Sequence, residues 1–500
     1  MAIQIDRPTP LPARPPANVA RGVLNLVLSR FLTIPLSLVV NAVLARRLGA
    51  ADFGTIYFAN AGLMVAFLFV DSGSMAQTAA MVARDPALAS RALGTGMALR
   101  LGFGAVVLIL LPFLTRRLDY SEPVRMVFLL VAVRMLVNSL ATVASAVVRG
   151  LERVTIHARV TVVTALVDAA VLIPALLLGG ALRAALLAQV ASAVLALVAW
   201  FVVLVRIGAA RITFDRSTGI ALLRGGFAFL ALDLALRIQP WIDANYLEKL
   251  STPQTVGWFA AANRVMGALL IPATLLNFAL YPTMSRLWTA DRPSFERLTR
   301  LGLRMVILFG AMAAVGAVFF ADLVVAIIYG KEKFAPAARD LQLLSAYVGL
   351  LYLSMLLGCA VTAAGRQLRW AGIQALCIPA SLLADPILIP WFQRQSGNGG
   401  LGVCLNLIGT EALVLTGALI LLPSGVLERS LLRDLARALA GGIAMACCAF
   451  LLRATPALGI PLSVAAYLGV QALLGGLDPE LLAQLRGTVE QKLSLQPAAR

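Results

Sequence analysis

Apolar runs of spanning length recur fourteen times along the chain, and this repetition constrains the fold more than any single motif. They fall near 23–44, 54–81, 94–115, 124–148, 160–179 and 184–205, then twice within 225–287. The remaining six lie near 301–321, 341–363, 370–391, 401–422, 436–452 and 458–475. A hydrocarbon core about 30 Å thick takes about 20 residues of helix, and a helix satisfies its own backbone polar groups there. With 60% hydrophobic and only 13% charged residues, the chain is far from the balance of a water-soluble domain. The expectation is an all-α integral membrane protein of about fourteen transmembrane helices.

The formal net charge of +18 comes from basic residues scattered singly between apolar runs. They form no basic domain with interleaved aromatics, so nucleic acid is excluded as a partner and the residues read as membrane-side anchors. Arg84, Arg91, Arg153, Arg159 and the arginines of 206–224 fall on one side of the implied topology. The other side keeps fewer, chiefly Arg116, Arg117, Lys249, Lys331, Lys333 and Arg394; the Arg46–Arg47 pair runs against the bias. The positive-inside rule then puts both termini in the cytoplasm. His157 is the only histidine, and the five cysteines lie in apolar segments without ligand spacing. No metal site, cofactor or catalytic triad is expected.

The stretch 225–287 departs from a plain apolar pattern. It carries Asp233, Arg237, Asp243 and Arg264 within segments of spanning length, with Pro240, Pro272 and Pro282 as candidate kinks. Arg30 lies in the first span, Asp71 beside Gly73 in the second, Arg134 in the fourth and Asp168 in the fifth. A charge at bilayer depth costs several kcal/mol unless it faces protein or water, so these groups point to a polar cavity. Arg30, Arg134, Arg237 and Arg264 are candidate anion-binding residues, because a guanidinium offers phosphate a bidentate fork. Asp71, Asp233 and Asp243 are candidate sites for a coupling H+ or Na+, Asp233 less so because Arg237 stands one turn away. Structural pairing is the competing reading for each. Asp168, Asp385 and Glu411 read as helix-packing partners.

The stretch Leu48 to Tyr57 parallels Leu250 to Phe259: each follows an odd-numbered span and sets a glycine, Gly54 or Gly257, before aromatics at the start of the next helix. An offset of six spans makes the two halves parallel repeats. The expected layout is a tail at 1–20, an N-lobe at 21–206, an inter-lobe loop at 207–224 and a C-lobe at 225–422. Two extra spans with an interfacial helix follow at 423–476, then a tail at 477–500. In the interfacial stretch Arg429, Arg433 and Arg437 recur every four residues beside leucines.

Four segments carry a family resemblance: LARRLGAADFGTIYFANA (44–61), WIDANYLEKLSTPQTVGWFAAANRVMGALLIPATLLNFALYPTMSRL (241–287), YGKEKFAPAARDLQLLSAY (329–347) and AAGRQLRWAGIQALCIPASLLADPILIP (363–390). Together they resemble the oligosaccharide flippase family, the Wzx-type branch of the multidrug/oligosaccharidyl-lipid/polysaccharide exporter superfamily. Asp243, Lys249 and Val256-Gly257 match its pattern best, whereas Trp258-Phe259 stands where the family often has a tyrosine. The resemblance implies two six-helix lobes around a central cavity, often with two extra C-terminal helices. It implies transport of polyprenyl-diphosphate-linked oligosaccharide across a bacterial inner membrane for polysaccharide biosynthesis, beside other polysaccharide-assembly proteins, and no enzyme activity. Two alternatives stay open: a proton- or sodium-coupled drug/cation antiporter of the same superfamily, and a membrane glycosyltransferase or polymerase.

Overall fold

The computed structural model describes residues 16–71, 73–452 and 455–476, and the regular elements among them are helices. The first half holds α1 (Pro16–Leu48), α2 (Ala50–Asp71), α3 (Ser74–Arg84), α4 (Ala89–Arg117), α5 (Glu122–Gly150), α6 (Val154–Leu177) and α7 (Leu182–Arg206). The second opens with α8 (Arg216–Leu250), α9 (Pro253–Leu269), α10 (Ile271–Ala290), α11 (Arg292–Tyr329) and α12 (Lys331–Phe334). It continues with α13 (Ala337–Ala363), α14 (Gln367–Ala375), α15 (Cys377–Ser396) and α16 (Gly400–Leu421). Two further helices, α17 (Arg429–Leu451) and α18 (Pro456–Leu473), close the described chain.

Local chemistry sets the breaks between these helices. Asp215 caps α8, accepting from Thr218 N at 2.8 Å, so residues 216–224 are helix and the expected inter-lobe loop shrinks to 207–215. Hydrogen bonds from Ser217 and Thr218 hold the Asp215 carboxyl well below the usual carboxylate range. Thr252 and Asp291 cap α9 and α11 in the same way, each followed by a proline in the first turn. Gly73 takes a left-handed conformation, φ 60°, between α2 and α3, which is the break its position between two polar-flanked helical runs implies. Of the three candidate proline kinks, Pro272 adjoins a real one: α9 and α10 meet at 42°, while Pro240 and Pro282 sit inside continuous helices.

Ten of the described helical segments are long and apolar enough to cross a membrane, or eleven when α9 and α10 count as one bent span. That count leaves out α1 and α8, parts of which lie outside the described residues, and α18, whose apolar run covers only Leu458–Leu473, so it does not test the expected fourteen. The expected interfacial helix is not separate; α17 is one helix from Arg429 onward. Its arginines also do more than face headgroups, for Asp434 accepts from Arg304 at 2.9 Å and from Arg437 at 3.1 Å. Arg300 pairs with Glu428 at 2.8 Å, so the start of α11 is tied to the start of α17. Cys377 and Cys404 are buried, whereas Cys447 is exposed.

In the first half α1 packs on α6, and α5 on α4 and α7; in the second, α13 packs on α11 and α16, and α15 on α16. The pair α17–α18 rests on α11. The halves meet where α2 lies against α8 and α9, and one apolar core runs through that seam, taking Phe53, Phe58 and Leu63 from one side and Leu247, Ala260 and Tyr329 from the other.

The two glycines of the internal repeat are in contact. A Cβ on Gly54 would stand 2.5 Å from the Pro253 carbonyl oxygen, and one on Gly257 would collide with the Ala50 carbonyl. Backbone therefore meets backbone at this end of the seam, and only glycine allows it. Around it the Arg46 guanidinium donates to the Ile328 carbonyl at 2.9 Å and to that of Ile327, occupying open acceptors at the end of α11. Here is the reason for an arginine on the sparsely charged side. The Trp258 indole donates to the Lys333 carbonyl at 2.9 Å, and Phe53 packs on Tyr329 and Phe334 with ring centroids 6.2 and 6.1 Å away. We expect Gly257→Val to pry this end open. A cysteine at Tyr329, which is 2% exposed, should resist a membrane-impermeant maleimide in the parent and react in the Gly257→Val background.

Candidate functional site

Three polar clusters occupy the helical bundle, and each draws side chains from three or more helices. The first gathers around Arg134. From α5 this guanidinium donates to Gln189 Oε1 on α7 at 3.0 Å and to Asn60 Oδ1 on α2. Asp168 on α6 lies within electrostatic reach of it and accepts from Ser192 at 2.5 Å. Neutral amides thus carry most of the hydrogen bonding, and the positive charge of Arg134 is compensated only at a distance. Facing this network from the other half is Arg264 on α9. It is exposed, makes no hydrogen bond or ion pair among the described residues, and lies within electrostatic range of Arg134 and Tyr57. Beside it Asn263 donates to the Tyr57 hydroxyl at 3.2 Å.

The second cluster surrounds the break between α2 and α3. Asp71 accepts from Ser139 Oγ at 2.5 Å and stands 3.7 Å from Nε of Arg100. Arg100, only 2% exposed, also donates to the Ser139 carbonyl and to Thr142 Oγ1, and reaches Ser74 Oγ at 3.5 Å. Arg100 was not among the residues singled out from sequence, although it lies in an apolar run and so carries the same signal as Arg134. It alters the reading of Asp71, which is the partner of a buried guanidinium rather than an open carboxylate. Replacing Arg100 leaves the buried Ser139 carbonyl and Thr142 hydroxyl without its hydrogen bonds, at a cost of about 1–3 kcal/mol. We expect Arg100→Met to lower the thermal unfolding midpoint, and Arg100→Met combined with Asp71→Asn to recover part of the loss.

The third cluster lies in the second half. Asp243 on α8 is 2% exposed and Asp385 on α15 is fully buried, and the two carboxyl groups lie within hydrogen-bonding distance of one another. Asn406 on α16 donates to Asp385 Oδ1 at 2.8 Å and to Ser381 Oγ at 2.9 Å. Asp243 Oδ1 and Asp385 Oδ2 are buried without a donor. The pair therefore offers oxygens that could receive a proton or a cation. Glu411 on α16, buried as well, takes a hydrogen bond from Ser354. Asp385 was read from sequence as a packing residue; its separation of over a hundred residues from Asp243 hid the pairing, which only the meeting of α8 and α15 creates.

Of the seven sequence candidates, the structure thus brings Arg134 and Arg264 to one place, Asp71 to a second and Asp243 to a third. The side chains of Arg30, Asp233 and Arg237 lie outside the described residues, though their backbones belong to α1 and α8.

Two helical halves meeting along a charged seam, with ten or eleven apolar helices of spanning length among the described residues, define a class: a multi-pass membrane protein. Within it, the family model described as "Polysaccharide biosynthesis protein" matches residues 19–288, more than half of the chain, and the chain belongs to that family. No curated protein matches it significantly in sequence. Among solved structures it is similar to the lipid II flippase MurJ in an inward closed conformation, with TM-score 0.71, 12% identity, and 91% of this chain and 99% of that one covered. It is also similar to a multidrug resistance MATE transporter in an inward-facing conformation, with TM-score 0.63, 16% identity and coverage of 84% and 98%. A mutant form of the Vibrio cholerae MATE transporter VcmN matches with TM-score 0.54, 16% identity and coverage of 81% and 96%. At these identities the likeness is one of fold.

Proposed function

We propose that the chain is a flippase that moves a polyprenyl-diphosphate-linked oligosaccharide across the bacterial inner membrane, with both termini in the cytoplasm. The observation that carries this reading is the unpaired guanidinium of Arg264 set opposite Arg134 across the seam between the halves. A diphosphate that leaves water must replace its hydration with donors and positive charge. Guanidinium groups supply both, and drawing one from each half lets relative motion of the halves carry the bound anion past the midplane. The family's role in polysaccharide biosynthesis supplies the class of cargo. Arg30 and Arg237, on α1 and α8, are further candidates for the same anion.

Asp243 with Asp385 is proposed as the coupling site for H+ or Na+, since its two donorless oxygens call for a cation. The same pair favours a second reading, a cation or drug antiporter, in which this acid site holds the cargo itself.

Proteoliposome transport of a fluorescent polyprenyl-diphosphate disaccharide separates the two. Arg264→Ala is expected to keep wild-type thermal stability to within about 0.5 kcal/mol, because the side chain is exposed and unpartnered. It should lower transport by about tenfold or more, the value of one charge-assisted hydrogen bond to phosphate. Asp243→Asn should remove the dependence on an imposed proton or sodium gradient. If wild type leaves this lipid in place and instead exports organic cations, with Arg264→Ala unimpaired, the antiporter reading replaces the flippase.

A further inference from the structure

One side chain of the first half stands between the cationic seam and the Asp243–Asp385 pair of the second. Tyr57 on α2 sets its ring edge-on against Phe259 of α9, with centroids 6.0 Å apart at 76°, and its hydroxyl accepts from Asn263 at 3.2 Å. Arg264 is the next residue after Asn263. Asn60, which takes a hydrogen bond from Arg134, lies three positions beyond Tyr57 and therefore on the same face of α2. That face looks into the Arg134–Arg264 site. The Tyr57 hydroxyl also falls within electrostatic range of Asp243 on α8, and its ring packs on the core that holds Ala244, the neighbour of Asp243. The packing of α2 on α8 and α9 thus brings one phenol to both sites.

A phenol has one proton to donate and lone pairs with which to accept. Asn263 donates to the oxygen of Tyr57, so the O–H is left to donate in turn, and it has no acceptor among the described residues. Two acceptors compete for it: the carboxyl of Asp243, and the oxygens of an anion held beside Arg264. A cation lodged at Asp243–Asp385 draws the free oxygens of that pair to itself, which turns the Tyr57 O–H toward the seam, where it adds a donor for the anion. The added positive charge acts in the same direction, since opposite charges at neighbouring sites attract. We infer that Tyr57 links the two sites, so that a cation at the acid pair and the diphosphate at Arg134–Arg264 strengthen each other's binding. The inference rests on the flippase reading above and adds to it the sign of the coupling: cation and cargo are held together rather than exchanged. Were the acid pair itself the cargo site, as in the antiporter reading, cation and cargo would compete. Linkage is reciprocal, so the factor by which the cation tightens the diphosphate is also the factor by which the diphosphate tightens the cation.

The test uses the full chain in nanodiscs, with a polyprenyl-diphosphate disaccharide as probe. Its affinity is measured against sodium at constant pH, with choline holding the ionic strength, and against pH in sodium-free buffer. The groups that titrate around the pair are Asp243, Asp385, Glu411, Tyr57, Tyr347 and Cys377, beside the charge of Arg264. One of the two cations should tighten binding in wild type by about fivefold or more, and Asp243→Asn should cancel the effect. Tyr57→Phe keeps the ring on Phe259 and removes the proton, so the ratio of affinities with and without the cation should fall to about twofold or less. Asn263→Ala, which frees the phenol from its anchoring donor, should lower the ratio as well and serves if Tyr57→Phe does not fold. Wild type that binds the probe equally with and without either cation, or more weakly with it, overturns the linkage and leaves the diphosphate site in place. A ratio that both variants preserve overturns the role of Tyr57. Failure of wild type to bind the probe at all removes the flippase reading and the inference with it.

Discussion

The cost of placing charge in hydrocarbon is the constraint from which the rest of this structure follows. Each ionised group on a spanning helix carries a penalty of about 2.5–3.5 kcal/mol by insertion scales, and more where no water reaches it. The helices that carry such groups must therefore face one another. Arg100 meets Asp71, Arg134 meets two amides, and Asp243 meets Asp385. Each pairing links helices remote in sequence, so the same interactions that lower the cost of charge also organise the bundle. Arg264 departs from this pattern, exposed and without a partner among the described residues, on a helix that lines the seam. A cationic group left uncompensated in this setting is what an anion-carrying site requires.

The two halves are joined in different ways along their shared seam. At one end glycine backbones touch, aromatic rings interlock, and Arg46 donates into the last carbonyls of α11. Deeper in, the contacts are polar and the charges of Arg134 and Arg264 are of like sign. An end that closes by shape and a middle that repels in the absence of an anion suit a molecule whose halves rearrange around a charged cargo. The break at Gly73 and the 42° bend between α9 and α10 fall on the helices nearest the seam, one in each half, where helix movement has most effect.

Much of the fold was legible in the sequence. Apolar run length located the helices and the glycines of the internal repeat turned out to touch one another, whereas the cap at Asp215 was missed and 216–224 read as loop. Arg134, Arg264 and Asp243 could be picked out because an ionisable residue in an apolar run is costly enough to need a reason. Arg100 bears the same mark and was passed over, and its omission left Asp71 looking like a free carboxylate. The partnership of Asp243 with Asp385 was beyond sequence reasoning of this kind, since nothing in a helical period relates α8 to α15.

The central claim is that a diphosphate is bound between Arg134 and Arg264. Its most direct test is equilibrium binding of a polyprenyl-diphosphate glycan, set against an uncharged polyprenyl glycan with the same chain and sugar. The measurement would be made on wild type and Arg264→Gln in nanodiscs at fixed ionic strength. The account predicts a preference of wild type for the diphosphate that weakens with added salt and collapses in Arg264→Gln, with affinity for the uncharged lipid the same in both. Equal binding of charged and uncharged lipids by wild type, or a preference that Arg264→Gln leaves untouched, would contradict it.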